Sequence, residues 1–336
     1  MKINVLSMQG SDSVARGYLD AMRYLGCHVY DCRPLNKMEV CQLIQEYDVR
    51  LIFTRSKYGI RQLPIDVINK YGVAVVIRAL PMNAENETLA GPYEYADPLE
   101  AATIRLIDRK FVWTPMHQSA WPTYMHGWLD KQVELFTLPY AGNLLTALPD
   151  NLRTTVDVCT SSMNANQPVS EMIIRRLEIL GKTYGDCSYG NALVVPNLHS
   201  AELRTAKAYL NEACFMISMY GGIQVTDLDI AKHYLSDYVD IATNSAQLVS
   251  VIEQYIDDPV LRLNCIKKTI PWISVCHSYF NRLNAIFEAL TMSDYALEAQ
   301  GAAERLGNKH VWEMTARLNA EERGELYEAA NLAKIG

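Results

Sequence analysis

Short apolar runs rich in Val and Ile alternate with stretches of helical period almost from end to end of this chain, and few folds accommodate such a pattern. Strands are expected near residues 2–7, 28–32, 51–54, 73–78, 111–114 and 133–138, with helices near 14–25, 38–46, 64–71, 98–108 and 118–127 between them. Repeated strand–helix units of this length build a parallel sheet with helices on both faces. After an irregular stretch at 143–155, which reads as a linker, a second series begins with a strand at 156–160. It continues with helices near 169–180, 200–212, 245–255, 259–269 and 277–290, and strands near 182–185, 214–218 and 239–242. The expected fold class is therefore α/β, with two Rossmann-like domains facing a central cleft. Residues 1–145 form the first domain and 146–290 the second. Residues 291–336, rich in Ala, Glu and Arg and broken by Gly301 and Gly307, form a helical tail of two or three short helices.

At 336 residues the chain exceeds what one hydrophobic core usually serves. Hydrophobic residues at 49% against 21% charged exclude a disordered or fibrous chain. No apolar run reaches the ~20 residues that span a bilayer, and the start reads as a strand rather than a signal peptide, so a cytoplasmic protein is expected. Its eight cysteines are scattered without zinc spacing, which predicts reduced thiols and no metal. The net charge of −7 sits mostly in the second half and excludes general nucleic-acid affinity, though a local basic patch in the first half remains open.

Four segments carry a resemblance. They are Arg204-x-x-Lys207-x-Tyr209, the run Ala213 to Ser218, the junction Pro259-x-x-Arg262 after two aspartates, and His277-Ser278-Tyr279-x-x-Arg282. Together they resemble the C-terminal domain of CgeB-like glycosyltransferases, relatives of the GT-B enzymes. The stretch Ala21 to Val29 and the segment Leu138-Pro139-Tyr140 are similar to the same group's first half. The resemblance covers the chain up to the tail. It implies a metal-independent GT-B enzyme that binds a nucleotide sugar, a UDP-sugar, mainly on the second domain and a hydroxyl acceptor mainly on the first. Phage-type members that glycosylate hydroxymethylated bases make DNA one such acceptor. The family's usual Glu is missing after Tyr209, the nearest carboxylate being Glu212.

Sugar transfer breaks a bond to a diphosphate, so cations or helix amides must meet the charge that builds there. On loops expected at carboxyl ends of strands, Ser161, Ser162 and Asn164 offer small side chains, while Tyr220, Gly221 and Gly222 offer close backbone approach. Arg204 and Lys207, one turn apart on an expected helix, share a face suited to the diphosphate. Asp12, Glu85, Glu87 and His117 are the candidates for activating the acceptor hydroxyl. Each also has a plain structural reading: Asp12 as a helix cap, the glutamates as solvated loop charges, and the lone histidine as a structural one. Arg55, Lys57, Tyr58 and Arg61 combine cations with an aromatic ring and suit a phosphate-bearing acceptor such as DNA. A solvated basic loop is the plain alternative. Two rival functions stand beside transfer: a sugar-nucleotide epimerase of the same fold, and a non-catalytic nucleotide-sugar-binding module.

Overall fold

A computed structural model of the chain describes residues 3–9, 12–31, 35–55, 59–79, 98–146, 155–163, 167–201, 204, 209–235, 238–242 and 244–332. The chain divides into two compact units, Met1–Tyr140 with Tyr279–Ala302, and Ala141–Ser278 with Ala303–Gly336. Each holds one open parallel sheet, as the alternation predicts.

In the first unit the strands are β1 (Asn4–Met8), β2 (His28–Asp31), β3 (Val49–Arg55), β4 (Ala74–Arg78), β5 (Lys110–Thr114) and β6 (Phe136–Thr137). Their order is β2-β1-β3-β4-β5-β6, with every pairing parallel. The helices that connect them are α1 (Ser13–Tyr24), α2 (Lys37–Tyr47), α3 (Ile65–Tyr71), α4 (Pro98–Arg105), α5 (Trp121–Tyr124) and α6 (His126–Asp130). The chain leaves β1 in one direction and returns to β3 on its other side. The sheet thus has a topological switch point between β1 and β3, where loops diverge and leave a crevice.

Helix α1 shows why local sequence and fold agree. Val14, Ala15, Tyr18, Leu19 and Met22 recur at helical spacing and are all buried. Asp12 starts the helix by accepting from the Ala15 amide at 2.7 Å, and Gly26 at φ +80° takes the left-handed turn that follows it.

The second unit repeats the plan. Its strands are β7 (Val156–Cys159), β8 (Tyr184–Gly185), β9 (Ala192–Asn197), β10 (Gln224–Thr226) and β11 (Asp240–Ile241), in the order β11-β10-β9-β7-β8. Counted within the unit, the strand order about the switch point matches that of the first sheet, so a second switch point lies between β7 and β9. Its helices are α7 (Gln167–Ile179), α8 (Ala213–Met219), α9 (Ala231–Leu235), α10 (Ser245–Asp257) and α11 (Pro259–Cys276); α12 (Tyr279–Ala289) follows as part of the first unit, and α13 (Ser293–Leu332) begins in the first unit and ends in the second. Val158, Ile173, Leu177, Val194, Val225, Leu248 and Ile252 lie in one core between the sheet and helices α7 and α10.

Several expectations need correction. The run Cys214 to Ser218 is not a strand but the buried helix α8; a five-residue apolar segment fits either element, and the Asn211 side chain settles it by accepting from the Cys214 amide at 3.1 Å. The strands β9 and β10 go unread in the sequence, β9 because Pro196 argues against a strand and β10 because it is only three residues long. The tail is one helix of 40 residues rather than several. Gly307 does not break it: a Cβ there would stand 2.7 Å from the Ser274 carbonyl oxygen, so the glycine serves close packing against α11. Residues 279–302, expected with the second domain and tail, count with the first unit, because Tyr279, Phe280, Leu283 and Ile286 of α12 are buried and cover α1.

The α1–α12 contact depends on Gly17. A Cβ at that position would meet the Tyr279 ring at 2.1 Å, and Tyr279 packs edge-on against Tyr18 with centroids 4.9 Å apart. Gly17→Ala gains about 1 kcal/mol of helix propensity, yet overpacking of this kind costs about 1–3 kcal/mol. The expected outcome is a net loss of stability, seen as a lowered thermal midpoint. A raised midpoint would show that α12 is free to shift.

Candidate functional site

Loops at the carboxyl ends of parallel strands are where a doubly wound sheet binds ligands, and both switch points carry charged groups there.

In the first unit, Asp12 follows β1 while Arg55 and Arg78 end β3 and β4. Both nitrogens of the Arg78 fork donate to the Asp12 carboxylate, one of them in a very short contact, and Arg55 Nη1 donates to it at 3.3 Å. Arg78 is almost completely buried, with 6% of its side chain exposed. Burial alone raises the Asp12 pKa. The Arg78 charge and hydrogen bond, the Ala15 amide and the Arg55 charge outweigh burial, so the net pKa lies below the ordinary carboxylate value. A carboxylate that already accepts from three groups and holds its proton so weakly is a poor general base. The geometry favours Asp12 as helix cap and counter-ion over the acid–base role.

The other candidates in this unit fare differently. His117 follows β5, as expected of a site residue, but its Nδ1 sits 2.9 Å from Ser119 Oγ and accepts from the Ser119 amide, capping the turn Gln118–Ala120. Arg61 lies exposed on the single 3-10 turn Ile60–Gln62. Lys57, Tyr58, Glu85 and Glu87 lie outside the described residues.

In the second unit the switch point gathers groups from three loops. Ser161 and Ser162 follow β7. The Ser161 hydroxyl donates to Asp186 in a very short bond and Ser162 Oγ donates to Tyr189 OH at 3.3 Å, so both serve the local turn. The Ser162 carbonyl accepts from the Leu198 amide at 3.0 Å, which ties the β7 loop to the β9 loop. His199 stands next along the β9 loop, and Asp227 follows β10 directly. The Asp227 carboxylate accepts from the His199 backbone amide at 3.1 Å and from His199 Nδ1 at 2.8 Å, and its second oxygen pairs with Arg204 Nε at 3.5 Å. His199 is 2% exposed, and among the described residues its Nε2 has no hydrogen-bond partner. Below it, Asn197 and Asn211 exchange side-chain hydrogen bonds at 3.2 and 3.3 Å and fix the start of α8.

The turn Tyr220-Gly221-Gly222 sits elsewhere. Since α8 is a helix, this turn precedes β10 and lies at the amino end of the sheet. A Cβ on Gly221 would stand 2.8 Å from Met314 Cε, and one on Gly222 the same distance from the Tyr189 carbonyl oxygen, so these glycines fill a packed turn. Their expected placement on a strand's carboxyl-end loop is thereby corrected. Asn164 and Lys207 lie outside the described residues.

No protein-family model matches the sequence, and no curated protein matches it. Solved structures do. A "putative UDP-N-acetylglucosamine 2-epimerase" from Listeria monocytogenes is 11% identical with a TM-score of 0.51, covering 88% of this chain and 99% of its own. The UDP-GlcNAc 2-epimerase of Neisseria meningitidis bound to UDP-GlcNAc follows at 8% identity and 0.47, covering 87% of this chain and all (100%) of its own. A spinosyn forosaminyltransferase has 12% identity and 0.43, with the same coverages of 87% and 100%. The chain has the GT-B architecture. At such identities the likeness is one of fold alone.

The segments that carry the family resemblance do structural work in this fold. Arg262 donates to the carbonyls of Tyr255 at 2.5 Å and Ile256 at 2.9 Å, closing α10, while Asp258 caps α11 through the Leu261 amide. Arg282 donates to the carbonyls of Pro139 at 2.7 Å and Tyr140 at 3.0 Å, joining two of the resembling segments. His199 and Asp227 escaped the sequence reading. The one available signal was an Asp immediately after a Val-Thr pair, which is recognisable only once β10 is known to be a strand. Among the described residues no group of three or more His, Cys, Asp or Glu is placed to hold a metal ion, and no helix is long and apolar enough to cross a membrane.

Proposed function

We propose that this chain is a glycosyltransferase that takes a sugar from a nucleotide sugar, specifically a UDP-sugar, and passes it to a hydroxyl acceptor in the cytoplasm. The observation that carries the proposal is the Asp227-held pair of His199 and Arg204 at the second switch point. In the transfer, the acceptor oxygen forms the new bond to the anomeric carbon, the old bond to the diphosphate breaks, and UDP leaves with the electron pair. A cation and a fixed imidazole aimed at that charge stabilise the transition state more than the ground state. Arg204 supplies a permanent charge. His199, oriented through Nδ1, donates to a phosphate oxygen through Nε2–H in its doubly protonated form. The acceptor's proton passes to a base, a role we assign to Glu85 or Glu87 in preference to the ion-paired Asp12. The hydroxymethylated base in DNA remains an acceptor to test, with the basic segment Arg55–Arg61 as its support.

Epimerisation is the second reading, since the Listeria protein of the same fold bears an epimerase's name. Calorimetry with UDP and UDP-GlcNAc tests the common ground. Saturable one-site binding is expected, and no heat with any UDP-sugar would overturn both readings. Following UDP-GlcNAc by NMR then separates them. A transferase leaves the sugar configuration unchanged until an acceptor is added, whereas an epimerase converts it alone. Binding with neither outcome would point to the non-catalytic module.

A further inference from the structure

Strands β9 and β10 stop at the same level of the sheet. Asn197 and Thr226 are the last residue of each and the last pair in their register. Beyond that pair no ladder holds the backbones, yet the two loops that leave it must meet again at once. His199 stands two residues past Asn197, and Asp227 follows Thr226 directly. Their contact is tight, with His199 Nδ1 lying 2.8 Å from the Asp227 carboxylate. A shift of either loop by about 1 Å would carry that distance beyond the range of a hydrogen bond.

One hydroxyl grips both loops. Thr226 Oγ1 donates to the Asn197 carbonyl at 3.1 Å and accepts from the Leu228 amide at 3.3 Å. The first bond crosses from β10 to β9 at the point where the ladder ends. The second closes a turn between the threonine side chain and the amide two residues on, and Asp227 is the residue that this turn encloses. The far side of each bond is itself anchored. The Asn197 side chain donates to Asn211 at 3.2 Å and to Cys214 Sγ at 3.1 Å, at the start of α8. The Thr226 carbonyl accepts from the Ala242 amide at 2.9 Å, just past β11. Thr226 is 0% exposed and so offers no surface to a ligand, and branching at its Cβ restricts the torsion that aims the hydroxyl.

We propose that Thr226 is a positioning residue for the donor site: its hydroxyl sets the separation of the β9 and β10 loops, so that Asp227 presents His199 and Arg204 to the diphosphate of the nucleotide sugar. The diphosphate rests on the reading under Proposed function; the hold on His199 does not. Misplacing a functional group by about 1 Å costs about a hundredfold, which is how a residue that never meets the ligand acts on its binding.

The experiment compares the full chain with three variants. Thr226→Val keeps the shape and removes the hydroxyl, Thr226→Ala removes it without filling its place, and Thr226→Ser retains it. Two readouts are taken where circular dichroism matches the wild type. The first is ring NMR of the chain labelled with nitrogen-15 at histidine, the His199 signal being assigned by its absence from His199→Gln. The second is UDP titrated by calorimetry. Wild type and Thr226→Ser should show a slowly exchanging His199 Nδ1–H and similar UDP affinities. Thr226→Val and Thr226→Ala should lose that signal to exchange and bind UDP at least about tenfold more weakly. Should the valine variant not fold, the alanine variant carries the same comparison. A residue that only stabilises the fold would lower the thermal midpoint and leave both readouts unchanged, which overturns the proposal. Equal losses in Thr226→Ser also overturn it, by assigning the effect to packing rather than to the hydroxyl, as does a lost signal with UDP affinity unchanged. If the wild type takes up no UDP, the transferase reading fails separately, and the Nδ1–H signal alone decides whether Thr226 holds His199.

Discussion

Asp227→Asn should lower kcat/KM with a UDP-sugar by about a hundredfold or more, with the chain still folded. The carboxylate now accepts from His199 Nδ1 and from the His199 backbone amide, and pairs with Arg204. The neutral amide no longer supports an imidazole that donates from both ring nitrogens, and its hold on Arg204 loosens. Partners that fix a functional imidazole are typically worth about 10–100-fold, and loss of a charge-stabilising donor about 10²–10³-fold. The substituted side chain keeps its volume in a site only 7% exposed, so the circular dichroism of the variant should match the wild type. If turnover and UDP affinity both stay within about twofold, the second switch point is not the donor site. Arg204→Lys separates the two partners: it retains charge without the fork, and its loss should be smaller.

Asp12→Ala is expected to have the largest effect on stability. It removes a helix cap worth about 1 kcal/mol and takes the carboxylate from a buried guanidinium. Breaking such a pair costs about 3–5 kcal/mol when both groups are buried. Here Asp12 retains 35% side-chain exposure, which lowers the sum to about 2–3 kcal/mol. The pH dependence follows from the depressed pKa. A carboxyl whose folded pKa lies below its unfolded value stabilises fully above the unfolded value, ordinarily 3.8, and that stability is lost as pH falls through the folded pKa. Denaturant unfolding should therefore show a gap between wild type and Asp12→Ala that is constant near neutrality and narrows below about pH 4. A gap that is the same at pH 7 and pH 3 would contradict the ion pair.

The roles of individual residues were harder to read than the architecture, and the reasons are physical. Asp12 was visible as both a base and a cap. The choice turned on Arg78, 66 residues away in sequence, whose position beside it follows from the β3–β4 register. The resembling segments were legible as a pattern, yet Arg262 and Arg282 act on backbone carbonyls, a role no spacing reveals. Gly221 and Gly222 suit a phosphate cradle only if residues 214–218 form a strand; because α8 is a helix, the turn precedes β10 and lies at the opposite end of the sheet.

By itself the sequence determined the class of fold and its doubling. Alternating apolar runs and helical faces can bury their surfaces only as parallel sheets with helices on both sides, a constraint that acts within about thirty residues at a time. The tertiary structure alone decided which loops meet at the two switch points, that α12 returns to cover α1, and that His199 stands on Asp227. Those pairings join residues far apart in the chain, where local propensity carries no information and only packing and strand order select the partner.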